Sequence, residues 1–186
     1  RAQLLRWAAA THPPWATELV PETTALGEAV EQAVAPLTHS ARVATDAGNL
    51  ACTLDVVAAQ LELRAPSAPS LEPVLPCVLT RLESLTFAVR AGEIPAAPTR
   101  PLATSLLQVL VALGPHVAPA SRYVGLGVAL AQLLRTFPTN DNFSAIWVAQ
   151  VARMNPDDYE RTLHALSSAL EPGTACKPPE CAALLQ

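Results

Sequence analysis

Lysine is all but missing from this chain. Lys177 is the only one among twelve cations; the other eleven are arginines spread from Arg1 to Arg161. Isoleucine (two), methionine (one), tyrosine (two), phenylalanine (three) and asparagine (four) are scarce as well. All have AT-rich codons, whereas the abundant alanine, proline and arginine take GC-rich ones. The simplest account is a GC-rich coding region, as in some large DNA viruses, actinobacteria and certain vertebrate genes. Glycine is scarce too, with 7 residues, and no alternating β-branched or aromatic run is bounded by Asn-Gly or Asp-Gly. The hairpin signature of strands is therefore missing. What remains is dominated by strong helix formers, 35 alanines and 28 leucines, which favour helix over sheet.

Further absences narrow the function. The net charge is −4, and scattered arginines do not make the clustered cationic face that a phosphate backbone requires, so no nucleic-acid partner is expected. The longest apolar stretch, Leu106–Leu113, is interrupted by Gln108 and falls far short of the roughly 18–20 residues of a membrane span. No basic-then-apolar leader stands at the start, and the chain opens at Arg1 rather than Met. An intracellular setting, cytoplasmic or nuclear, and a fragment of a larger protein are the expectations. Four cysteines make no disulfide framework. Cys52 and Cys77 fall in helical patterns, where cysteine behaves as a small buried hydrophobe. Cys176 and Cys181 fall in a proline-rich tail, where a local disulfide is conceivable.

Two apolar stripes carry the strongest positive signal. Val43, Ala47, Leu50, Leu54, Val57 and Leu61 form one; Leu71, Leu75, Val78, Leu82, Leu85 and Val89 form the other. Both repeat with 4-3-4-3-4 spacing, which lays one seam along a helix. The proline-rich turn Ala65–Ser70 between them predicts an antiparallel helical hairpin whose seams face each other.

The 18 prolines punctuate the rest, because proline lacks the N–H and clashes inside a helix. About eight helices result. The first spans Leu4–Ala10 and stops at Pro13-Pro14. The second opens at Pro21-Glu22, buries Leu26, Val30, Ala33 or Val34, and Leu37, and ends or kinks at Pro36. The third covers about Ser40–Arg64. The fourth covers about Leu71–Ala91, with a late start near Pro73 that leaves Pro76 in the tolerant first turn, and stops at Gly92, suited to a left-handed cap. Thr99 is the expected cap of a fifth helix ending at Gly114-Pro115 and apolar nearly all round, hence central. Ser121 is the expected cap of a sixth helix reaching Thr136, and Asp141 of a seventh over Asn142–Met154. Asn155-Pro156-Asp157-Asp158 is a strong start for an eighth ending at Leu170, with cap, proline at the first position and carboxylates against the dipole. The fold class is thus all-α: an irregular antiparallel bundle built from hairpins, with a loose 45–50-residue recurrence near the HEAT or armadillo period. Residues 1–171 form one domain and 172–186 a tail containing proline and cysteine.

No chemistry-bearing motif rises above this pattern. His12, His39, His116 and His164 lack ligand spacing, and His12 and His116 beside prolines read as solvated loop residues. Cys176 and Cys181 with His164 lack a fourth zinc ligand. Gly125-Leu126-Gly127 follows no strand and reads as room for a neighbouring helix rather than a phosphate loop. Asp157, Asp158, Glu160 and Glu171 are accounted for first by helix-start electrostatics. Trp147, with Ile146, Val148 and Val151, reads as core. Trp7 and Trp15 flank the Pro-Pro break; with Arg6 they are the candidate protein-binding residues, since Trp and Arg are enriched in binding hot spots, although packing onto the first hairpin accounts for them as well. No catalytic, cofactor-binding or metal-ligating residue is assigned, and no cofactor or small-molecule substrate is expected. The expected function is a non-enzymatic helical interaction or scaffold module with protein partners, self-association included. The alternatives are a tegument-like or capsid-associated protein of a GC-rich DNA virus, and a helical enzyme with an unrecognised site.

The seams generate a direct test. Leu54→Asp or Leu82→Asp puts an unpaired charge into a seam and is expected to cost about 3 kcal/mol or more of stability. Wild-type melting in both variants would remove the seam assignment.

Overall fold

A computed structural model describes residues 7–8, 11, 22–64, 71–137, 141–152 and 154–170. Among these there is no strand, and seven α-helices pack together: α1 (Thr23–Val34), α2 (Ser40–Leu63), α3 (Val74–Arg90), α4 (Ala96–Leu113), α5 (Pro119–Thr136), α6 (Asp141–Val151) and α7 (Pro156–Leu170). The expected first helix, Leu4–Ala10, lies largely outside the described residues, though Trp7, Ala8 and Thr11 are helical. So do the Ala65–Ser70 turn and the tail from Glu171 onward.

Both seams are buried in one continuous core. Leu54, Val78, Leu82 and Leu85 are fully sequestered, and α1 adds Leu26, Val30, Ala33, Val34 and Leu37 as its period predicts. At Ala35 the helix tightens into a 3-10 turn, Ala35–Thr38, where Pro36 cannot continue an α-helix.

The seams do not chiefly face each other. The main partner of α2 is α4, two helices on. Ser40, the first residue of α2, donates its hydroxyl to Glu93, just before α4, at 3.0 Å. Leu61, near the end of α2, meets His116, just after α4. Start meets start and end meets end, so α2 and α4 run parallel and α3 runs opposite to both. Both helices carry buried alanines, Ala47, Ala51 and Ala58 on α2 and Ala103 and Ala112 on α4, small side chains of the kind that let helix axes approach closely. The leucine-rich α3 instead packs among α1, α4, α5 and the 3-10 turn.

The helix ends mix local and remote causes. α3 starts at Val74 with Pro76 in its first turn, and ends with Gly92 at φ 78°. There the Glu93 amide bonds the Ala88 carbonyl and the Gly92 amide the Val89 carbonyl, the paired bonds of a left-handed glycine cap. Asn155 caps α7 as expected: its Oδ1 accepts the Asp158 amide at 2.9 Å and its Nδ2 donates to the Asp158 carboxylate at 2.7 Å. Thr99 and Ser121 are not caps. α4 begins earlier, at Ala96, and Thr99 lies one turn in, fully buried, its hydroxyl donating to the Pro95 carbonyl at 2.7 Å. α5 begins at Pro119, and the carboxylate at its start belongs to Glu72, which accepts the Ala118 amide at 2.7 Å and the Ser121 hydroxyl.

At Gly127, α5 and α7 come into close contact. A Cβ there would lie 2.8 Å from the Thr162 carbonyl oxygen and 2.9 Å from Ala165 Cβ, so the glycine serves helix packing, as its setting in a helical pattern suggests. Gly127→Leu is expected to cost about 3 kcal/mol through overpacking. Gly48 of α2 has open space around it, so Gly48→Ala is expected to stabilise by up to about 1 kcal/mol through helix propensity. Chemical denaturation of the two variants checks the opposite signs; equal shifts would refute the close approach.

Candidate functional site

The concavity considered as a site is a groove of about 330 Å³ walled by α2, α4 and α6. Its geometry follows from the parallel pairing of α2 with α4, across which α6 lies near its Phe143 anchor. Phe143 is fully buried and meets Phe137, at the end of α5, edge to face with ring centroids 6.1 Å apart. That contact seats the start of α6 and brings Ile146, Ala149 and Gln150 to the groove.

The described lining has four polar groups, Asp55 and Glu62 from α2, Gln108 from α4 and Gln150 from α6. Its apolar part is Ala58, Ala59, Val111, Ile146 and Ala149. Asp55 and Glu62 are seven residues apart, which sets their Cα atoms two helical turns and about 10 Å apart on one face. Each already engages a group within the fold. A carboxylate offers about four lone-pair sites, so such engagement does not exhaust its capacity to accept. No serine, threonine, cysteine, histidine or lysine is among the described lining residues. The arrangement can accept hydrogen bonds and cover an aliphatic chain.

The residues singled out from sequence are not gathered here. Arg6 and Trp15 lie outside the described residues. Trp7 is 52% exposed, and its carbonyl accepts the Thr11 hydroxyl at 2.8 Å. Its neighbour Ala8 is buried against Ala59 and Leu63 of α2, so this segment touches the helix that builds the groove. Ile146 and Trp147 pack against the core, but Val148 is 65% exposed and is not core. Cys52 is exposed rather than buried, and Cys77 is half-buried. His12, Cys176, Cys181 and Glu171 lie outside the described residues. Among the described residues no group of three or more His, Cys, Asp or Glu could hold a metal ion, and no helix is long and apolar enough to cross a membrane.

His116 reverses its expectation. It is not a solvated loop residue but is 1% exposed, with Nε2 3.0 Å from the Leu61 carbonyl. A carbonyl only accepts, so Nε2 carries the proton in that bond. Nδ1 is buried with no hydrogen-bond partner among the described residues. Its backbone carbonyl accepts the Leu71 amide at 3.3 Å. The adjoining prolines suggested a loop, and a loop histidine is usually wet; nothing local signals that α2 ends against this one.

With the geometry in place, comparison with known proteins adds no relative: no family model, no curated protein and no solved structure matches the chain.

Burial pushes the Glu83 carboxyl on α3 above the ordinary carboxylate value, with Arg90 acting in the opposite direction. A raised native pKa means that the folded state holds the proton more tightly, so this group costs stability as pH rises through the window above the ordinary value. Glu83→Gln removes that cost. Its Tm difference from wild type is expected to move in the stabilising direction between about pH 4 and about pH 7. A difference that stays flat, or moves the other way, would refute the assignment.

Proposed function

We propose that the chain is a non-enzymatic helical interaction or scaffold module, working through protein partners or copies of itself. The observation that carries this reading is the groove of α2, α4 and α6, which pairs acceptor groups with aliphatic surface and has no hydroxyl, thiol, imidazole or amine in its described lining. A concave site of that make-up suits holding a partner's side chains in place. Exposed Tyr159 and Leu163, one turn apart on α7, add contact area of the kind found at interfaces. A repeat-like stacking of helical pairs is part of the proposal and draws support from three successive helices of 17, 18 and 18 residues.

Affinity capture from lysate with the immobilised chain, read beside light scattering over a concentration range, tests the proposal. A defined partner or a defined oligomer is the expected result. A strict monomer that retains no specific partner at any concentration overturns it.

A further inference from the structure

We draw no further inference here: the strongest candidate, the exposed apolar face of α7 at Tyr159 and Leu163, carries nothing because nothing among the described residues shows what covers it.

Discussion

The imidazole of His116 is the hinge pin of this architecture. Its Nε2–H bonds the Leu61 carbonyl at the end of α2, and its own carbonyl takes the amide of Leu71 just before α3. His116 itself closes the turn after α4, and Glu72, next to Leu71, supplies the carboxylate that meets the start of α5. Four helix ends are thereby gathered at one end of the bundle. Apolar seams alone do not decide direction, because a leucine stripe packs against another stripe in either sense. Directional bonds at the ends do decide it: they fix α2 and α4 as parallel and α3 as opposed. The arrangement is costly in one respect. The buried Nδ1 of His116 has no partner among the described residues, a desolvation loss on the order of 1–3 kcal/mol that the core must offset.

Much of the fold was legible in the sequence because it is written locally. Helix periodicity, the Gly92 stop and the Asn155 start all depend on neighbours within a turn or two, and each is where the pattern puts it. The departures share a different cause. Thr99 and Ser121 have the chemistry of caps, but proline at Pro119 suits the first helical position and the negative charge at that helix start comes from Glu72, far away in sequence. The pairing of α2 with α4 was illegible for the same reason. Stripe strength is read from leucines, whereas buried alanines such as Ala47, Ala51, Ala103 and Ala112 add little to a periodic pattern, although small side chains favour close helix packing.

The groove was less legible still. Asp55 and Glu62 look like ordinary polar positions of an amphipathic helix, and only the placement of α6 makes them walls. That placement rests on the buried Phe137–Phe143 pair, from a chain with three phenylalanines in all. Trp7 was picked out as a candidate by residue type alone. Its neighbour Ala8 packs on Ala59, itself part of the groove lining.

The contacts that hold the helices together are unevenly spread over the molecule. The polar knot of His116 and Glu72 and the leucine core hold α1 to α5 together, while α6 and α7 sit at the margin, α7 held mainly by α5. Among the described residues the exposed large apolar side chains are Val148, Tyr159 and Leu163 of these two helices, Phe87 of α3, and Trp7. Changes on the outer faces of α6 and α7 alter what the surface offers without disturbing the bonds that set helix direction. The same substitution at an inner position, such as Gly127 against the Thr162 backbone, forces two helices apart. The centre and the margin therefore tolerate substitution differently, because the residues that set helix direction and those that face outward are carried by different helix faces.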